Sequence, residues 1–155
     1  MQIKLLSEAK HHLLEIAQLL HQDWGTLPPW ANFAQVQHSL ETRCSESAFP
    51  QCFIAVTDTD ELLGTASLKL NELAHHPDKT HWIGEVYVKS EQRGKGLGSK
   101  LTLAAQAYAF EHGARHLFLY TPDQQSLYAK LGWRIVRSEQ VNEENVSLML
   151  RESDR

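Results

Sequence analysis

The sequence predicts an α/β fold, also described as α+β, in which helices cover the faces of a central sheet. Three observations lead to this prediction. Short apolar runs rich in β-branched or aromatic residues recur along the chain, helical spacing of apolar residues separates several of them, and glycine or proline ends most helical segments. The predicted order is β-α-α-β-β-β-α-β-α-β-β. Because a length of 155 residues suits one core, residues 1–155 are predicted to form a single domain.

The N-terminal third is predicted to contain one strand followed by two helices. The strand covers residues 2–6, and Ser7 is predicted to cap the first helix, since its hydroxyl can accept a hydrogen bond from a free amide. That helix runs to about Asp23 and stops at GTLPPW (25–30), because proline disfavours helical geometry in the preceding residue. The second helix covers residues 33–42.

The rest of the chain alternates strands with two further helices. Gly113 stands where a left-handed cap would end the first of these helices, and Gly132 ends the second. The predicted strands cover residues 52–58, 62–70, 81–88, 116–120, 133–138 and 146–151, and the predicted helices begin near Leu97 and cover 123–131.

Composition and charge exclude several classes of function. Fifteen Lys and Arg residues against 19 Asp and Glu give a net charge of −4, which lacks the basic excess of a nucleic-acid-binding protein. No window approaches the roughly 20 apolar residues that a membrane helix requires. Cys44 and Cys52 fit no metal-binding spacing and are expected to be reduced thiols. A cytoplasmic protein with no nucleic-acid or membrane partner is therefore expected.

A glycine-rich segment lies directly before the predicted third helix. Gly94, Gly96 and Gly98 alternate there, and Arg93 and Lys95 add positive charge. A helix N-terminus has up to four amides without partners and a partial positive charge, so it binds anions. Glycine lacks Cβ, which allows a sharp turn and a close approach of an oxygen to the amides. The segment predicts a phosphate-binding loop; the alternative is a turn that caps the helix and binds nothing.

Two nucleotide-binding motifs do not match this loop. A P-loop requires G-x-x-x-x-G-K-[ST], whereas GKGLGSK (94–100) has its lysine and serine at other positions. A dinucleotide loop requires G-x-G-x-x-G, and Ser99 stands where its third glycine would be. The predicted phosphate ligand is therefore not one that either motif holds.

Two motifs resemble those of the GNAT superfamily of acyl-CoA-dependent N-acetyltransferases. RGKGLG (93–98) is similar to the family's R/Q-x-x-G-x-G/A loop, and SLYAKLGW (126–133) resembles its L-Y-x-k-x-G-F/W signature. One helix and one strand separate the two motifs, as in the family. The resemblance implies the GNAT fold, a mixed and mostly antiparallel central sheet of about seven strands with helices on both faces.

The resemblance also implies acetyl-CoA as co-substrate. Its pyrophosphate would bind the loop amides, and its pantetheine arm would bind backbone groups in a slot where the strand parts from its neighbour after Val88. At position 121 family members often carry asparagine, and Thr121 or Asp123 would replace its contact. The expected cofactor-binding residues are Val86, Tyr87, Val88, Arg93, Gly94, Lys95, Gly96, Leu97, Gly98, Ser99, Thr121 and Asp123.

Tyr128, the tyrosine of the second motif, is the candidate catalytic acid. Amine acetylation by a thioester requires a neutral amine, a donor for the oxyanion and a proton or dipole for the leaving thiolate. A phenol with an ordinary pKa of about 10 is protonated at neutral pH and can serve that thiolate. The alternative is a core tyrosine beneath a surface helix.

Glu85 is the candidate catalytic base, acting through water. A carboxylate inside the apolar run WIGEVYV (82–88) is costly to bury without a purpose, and burial would raise its pKa. The alternative is an edge carboxylate that faces solvent or pairs with a lysine. His81 is the reserve base, because regular alternation would place it on the same face as Glu85. Gly84 is a candidate for a bulge that breaks this alternation.

The sequence thus predicts an acyltransferase that moves the acetyl group of acetyl-CoA to a primary amine of a small molecule or peptide, by direct attack in a ternary complex. The alternative is a non-catalytic CoA-binding or regulatory domain of the same fold. A monomer and a homodimer are both compatible with the sequence.

The histidines and two tryptophans suggest no further chemistry. The nine histidines form neither HExxH nor a His/Cys cluster, so no metal is predicted. His75 and His76 are interpreted as solvated loop residues, with a place in the acceptor site as the alternative. Trp24 and Trp30 flank the break between the first two helices, where they either shape the acceptor pocket or cover the core.

Overall fold

In the computed structural model, which describes residues 1–154, seven strands form one mixed sheet in the order β1-β2-β3-β4-β5-β7-β6. Neighbouring strands are antiparallel except β4 and β5, which are parallel. The predicted fold class and element order are confirmed. The strands are β1 (Gln2–Leu5), β2 (Gln51–Val56), β3 (Leu62–Leu70), β4 (His81–Val88), β5 (His116–Thr121), β6 (Arg134–Val141) and β7 (Glu144–Glu152).

Four α-helices accompany the sheet within residues 1–154, and none of them is long and apolar enough to cross a bilayer. The predicted capping role of Ser7 is wrong. Ser7 lies in a short 3₁₀ turn, and Ala9 then adopts φ −149° and ψ 54°, a conformation that cannot continue a helix. The helices are α1 (Leu13–Trp24), α2 (Phe33–Thr42), α3 (Leu97–Glu111) and α4 (Gln125–Lys130).

The helices pack on both faces of the sheet. On one face α3 buries Leu101, Ala105 and Ala109 completely, and the two alanines let the helix approach the strands closely. On the other face α1 and α2 bury Ile16 and Leu40, among others. Full burial of each leucine or isoleucine contributes about 1.5–3 kcal/mol, so both faces hold the sheet in place.

Strand β4 contains a β-bulge at Glu85. Thr65 and Ser67 of β3, two positions apart, pair with Tyr87 and Gly84, so β4 carries one extra residue between these pairs. Glu85 has a φ of 51°, in the left-handed region that non-glycine residues rarely adopt. The sequence had indicated such a bulge near Gly84, as the alternative to regular alternation along the strand.

The bulge ends the regular alternation of side chains along β4. Ile83 packs with the α3 face, whereas Glu85 reaches Arg43 on the α1 and α2 face. Tyr87 packs with the same face as Glu85. Regular alternation would place Val86 and Ile83 on different faces of the sheet, but both pack on the α3 face.

Candidate active site

Strands β4 and β5 part soon after they begin to pair. Within residues 1–154 their ladder is limited to Trp82 opposite Phe118, so the separation begins well before Val88, where the sequence predicted it. The bulge at Glu85 follows three residues after this last pair. A cavity of about 750 Å³ opens between the strands and extends to the glycine loop, a volume typical of cofactor sites.

The glycine loop forms one end of this cavity. Gly94 and Gly96 have φ values of 80° and 78°, a conformation that costs glycine little, and a Cβ built on either would meet nothing within 4 Å. The first helical hydrogen bond of α3 runs from the Lys100 amide to the Gly96 carbonyl. The amides of Leu97 and Gly98 therefore come before the first hydrogen bond of the helix, and this N-terminus can bind an anion.

Arg93 connects the loop to helix α1. Its Nε donates to the Val88 carbonyl at 2.9 Å, and its guanidinium lies over the Tyr87 ring, 5.6 Å from the centroid. Its Nη2 is 3.6 Å from Asp23, which also accepts a 2.5 Å hydrogen bond from the Tyr87 hydroxyl. Burial and the neighbouring Asp23 raise the pKa of Tyr87 to about 12, although Arg93 acts in the opposite direction.

Tyr128 lies in the cavity wall and is 8% exposed. Burial, then the charge of Asp123, raises the pKa of Tyr128 to about 12, while a hydrogen bond with Thr102 acts the other way. The phenol is therefore protonated at neutral pH. The Thr102 hydroxyl donates to the Gly98 carbonyl, in the first turn of α3, at 2.8 Å.

Thr121 shapes the turn that precedes α4. Its side chain is almost fully buried, and its hydroxyl accepts from the amides of Asp123 and Gln124 at 3.4 and 3.0 Å. Thr121 and Asp123 both line the cavity. The hydroxyl thereby performs the turn-stabilising role that Asn side chains often have.

Glu85 is held by donors from three other elements. Its side chain is 6% exposed, receives a hydrogen bond from Trp30 Nε1 at 2.7 Å and forms an ion pair with Arg43. Lys69 Nζ is 3.6 Å away, and the Ser67 hydroxyl donates at 3.5 Å. Burial by itself raises the pKa of Glu85, but Lys69, Arg43 and the Trp30 hydrogen bond outweigh it and lower that pKa to about 2.

These contacts have two consequences for the predicted bases. A carboxylate with this lowered pKa accepts a proton poorly at neutral pH, and its oxygens are already occupied, so the geometry favours a positioning role for Glu85. The reserve candidate His81 does not line the cavity; its ring packs against Phe49, 4.6 Å between centroids, and burial lowers its pKa.

Part of the cavity wall, here called the acidic aromatic part, consists of Trp24, Trp30, Tyr120, Glu72 and Glu144. Trp24 packs edge-to-face on Trp30 at 5.1 Å, and both line the cavity. Tyr120, Glu72 and Glu144 line it as well. Burial, then the charges of Glu72, Glu85 and Glu144, raises the pKa of Tyr120 well above its usual range.

A sequence model described as "Acetyltransferase (GNAT) family" matches residues 11–133, which is most of the chain. The chain belongs to the GNAT acetyltransferase family. It is therefore an acyltransferase of the class that uses acetyl-CoA, as the two sequence motifs indicated. No curated protein sequence matches this GNAT chain significantly.

Solved structures with the same fold support the assignment of architecture. An aminoglycoside 6'-N-acetyltransferase complexed with coenzyme A has a TM-score of 0.77 and 16% identity, covering 98% of this GNAT chain and 97% of its own. The aminoglycoside 6'-N-acetyltransferase from Enterococcus faecium has a TM-score of 0.75 and 16% identity, and the match covers 98% of this chain and 97% of that one. A spermidine N-acetyltransferase SpeG mutant from Vibrio cholerae has a TM-score of 0.75 and 16% identity, and the match covers 98% of this chain and 95% of that one.

The structure of the GNAT chain brings most predicted site residues to one cavity. Glu85, Tyr128 and the predicted cofactor residues line it, except Lys95, which is exposed outside the wall. Sequence reasoning missed Arg43, Lys69, Glu72 and Glu144. Their separation along the chain carries no motif, so only the fold reveals them.

Proposed function

We propose that this GNAT chain transfers the acetyl group of acetyl-CoA to a primary amine of a small molecule or peptide, by direct attack in a ternary complex. One observation carries the proposal. A single cavity of about 750 Å³ joins the glycine loop, the gap between β4 and β5, and the acidic aromatic part. Cofactor and acceptor can therefore meet at the middle of the cavity without a second site.

The loop end suits the pyrophosphate of acetyl-CoA. The first-turn amides of α3, together with Gly94 and Gly96, surround space that a phosphate oxygen can enter. Lys95 lies outside the cavity wall and is proposed to contribute positive charge near it. Arg93 is already engaged with Val88 and Asp23, so main-chain dipoles provide most of the attraction. Leu97, Gly98 and Ser99 complete the predicted contact surface.

The gap between the strands suits the pantetheine arm. The edge of β4 from Val86 to Val88 faces the cavity, with no partner strand on that side beyond Trp82 within residues 1–154. Unpaired backbone groups at a sheet edge bind extended ligands. An arm held there would place the thioester between β4 and β5, near Tyr128 and Thr121 at the other side of the gap.

In the proposed reaction the neutral amine attacks the thioester carbonyl and forms a C–N bond. The tetrahedral intermediate then collapses, the C–S bond breaks, and the thiolate leaves. Tyr128 transfers its phenolic proton to this sulfur, and the proton that the amine nitrogen loses passes to solvent and restores the phenol. Glu85 holds the bulge in position through Arg43 and Trp30, and a base role through water stays a prediction.

The acidic aromatic part of the cavity suits a cationic amine. Glu144 makes no ion pair within residues 1–154, whereas Glu72 pairs with Lys69 at 2.6 Å. The faces of Trp24 and Trp30 can receive an ammonium group by cation–π attraction. The names of the structural relatives include aminoglycoside and spermidine acetyltransferases, whose acceptors are cationic amines of this kind.

Two measurements test the proposal. In a thermal-shift comparison, acetyl-CoA is expected to raise the melting temperature, because a ligand that binds the folded state stabilises it, whereas ATP and NAD are expected to have little effect. Thiol release is then measured with aminoglycosides, polyamines and short peptides. A stabilising effect of ATP alone would contradict the cofactor; CoA binding without turnover across the panel would favour the non-catalytic alternative.

A further inference from the structure

The loop between β3 and β4, residues 71–80, crosses to the edge strand β6 and brings two histidines to one carboxylate. His75 Nε2 lies 3.1 Å from Glu139 Oε1. His76 Nε2 lies 3.1 Å from the same oxygen and 3.0 Å from Oε2. Three side chains from two remote segments thus direct their donor atoms to a common point.

This cluster, defined as His75, His76 and Glu139, is enclosed on one side and open on the other. The side chains of His76 and Glu139 are 11% and 10% exposed, whereas that of His75 is 57% exposed. Arg137 Nε lies 3.3 Å from Glu139 Oε2 and fixes the orientation of the carboxylate. The open side leaves room for a solvent ligand.

The spacing of the donor atoms matches a metal coordination sphere. Zinc bonds of about 2.0–2.2 Å to imidazole nitrogen and carboxylate oxygen, in a tetrahedron, imply donors about 3.3 Å apart. The observed nitrogen–oxygen distances are 3.0 and 3.1 Å, and one donor atom of each residue lies within 4.8 Å of the others.

We propose that His75, His76 and Glu139 bind a divalent transition-metal ion of the zinc class, with solvent in the fourth position. Two imidazoles and one carboxylate suit zinc, nickel or copper, whereas calcium and magnesium prefer oxygen donors. The ion binds Nε2 of each neutral imidazole, whose single proton then lies on Nδ1, so bonds to the ion take the place of the contacts between Nε2 and the carboxylate. Arg137 acts as the outer contact that orients a ligating carboxylate.

A bound ion would fasten the 71–80 loop to β6. Because the same loop begins beside β3 with Glu72, which lines the cavity, the ion would also restrain the acidic aromatic part of the wall. The metal is then structural and lies outside the cavity, since neither histidine lines it. Its binding is independent of the proposed acetyl transfer.

A second group with the same donor types provides an internal comparison. His11 and His12 direct Nε2 atoms to Asp60 at 2.5 and 3.0 Å. Asp60 is 46% exposed, and Lys4 Nζ lies 3.8 Å from it. A solvated carboxylate holds an ion less firmly than the enclosed Glu139, so this group is expected to bind more weakly.

The test uses full-length protein without an affinity tag and without acetyl-CoA. Co²⁺, a spectroscopic substitute for Zn²⁺, is titrated by visible absorption, and Zn²⁺ by calorimetry. One site that fills first is expected, together with a rise in melting temperature. His76→Gln is expected to weaken binding by at least about tenfold, since loss of even an outer contact costs that much.

The matched control is His12→Gln, which is expected to leave the first site unchanged. If the His76 variant fails to fold by circular dichroism, the exposed His75→Gln replaces it. If His12→Gln alone removed the site that fills first, that site would be the group of His11, His12 and Asp60, and the proposal would be wrong. Wild-type protein that gives neither a cobalt band nor zinc heat would overturn it as well.

Discussion

The substitution Glu85→Gln tests whether a buried carboxylate holds the β4 bulge. Glutamine has nearly the same shape but no charge. It would leave Arg43 without its anion and would weaken the hydrogen bond from Trp30, whereas Lys69 would keep its ion pair with Glu72. Removing one partner of a buried ion pair is strongly destabilising, because the remaining charge stays uncompensated. The variant is therefore expected to fold less stably than the wild type.

The lowered pKa of Glu85 sets the magnitude. The interactions of the folded protein reduce this pKa from 4.5 to about 2, and each unit corresponds to about 1.4 kcal/mol. The ionised form thus contributes about 3 kcal/mol to the free energy of unfolding at pH 7, in line with other buried pairs. For a chain of this size the melting temperature is expected to fall by roughly 6–12 °C.

The pH dependence has a definite sign. Because the folded pKa of Glu85 is depressed, its contribution is fully present above pH 4.5 and is lost as the pH falls toward 2. The difference in unfolding free energy between wild type and Glu85→Gln should be constant from pH 5 to 7 and shrink below about pH 4.5. Thermal unfolding followed by circular dichroism across this range measures it.

Glu111→Gln, at an exposed position near the end of α3, is the control and should change stability by less than about 0.5 kcal/mol. The kinetics of the folded Glu85 variant separate the two roles. A base role requires kcat to fall by roughly 10² or more with unchanged stability. That combination would refute the positioning role and restore Glu85 as the base.

Three further changes test the cavity. Tyr128→Phe is expected to lower kcat roughly 10²-fold with acetyl-CoA affinity unchanged, as an acid for the thiolate requires; an unaffected kcat would make Tyr128 a core residue. Gly96→Val is expected to abolish CoA binding in calorimetry, whereas Gly113→Val, at a comparable φ of 100° with open space around it, should only destabilise the fold; equal affinities in both variants would contradict the phosphate site. Glu144→Gln is expected to raise KM for a cationic amine about threefold, as loss of a partly exposed charge contact does, and a KM that does not change would remove Glu144 from the acceptor site.

The sequence predicted the glycine turn before α3 because local chemistry determines it. Glycines before an amphipathic helix indicate the turn, and the positive φ values of Gly94 and Gly96 agree with that reading. The seven strands followed from apolar runs and turn residues in the same way. Ser7 failed as a cap because burial of Leu6 and the turn at Ala9 override a local preference.

The surroundings of Glu85 were not predictable in this way. Arg43, Trp30 and Glu85 are separated by long stretches of chain, and no spacing rule links them. The depressed pKa of Glu85 reverses the expectation that burial would raise it, because two remote cations outweigh desolvation. Glu139, the partner of His75 and His76, lies 63 residues from His76, so no local metal-binding motif marks this group in the sequence.

The parting of β4 and β5 has a consequence for cooperativity. Within residues 1–154, the ladder between the β1–β4 half of the sheet and the β5–β7 half is limited to Trp82 and Phe118. Amide hydrogen exchange on either side of this junction can therefore report two opening units rather than one. An extended ligand with its own amides, bound along β4, would form hydrogen bonds that the two strands lack between them. The two units would then open together, so amide exchange on β5 is expected to slow when the cofactor is added.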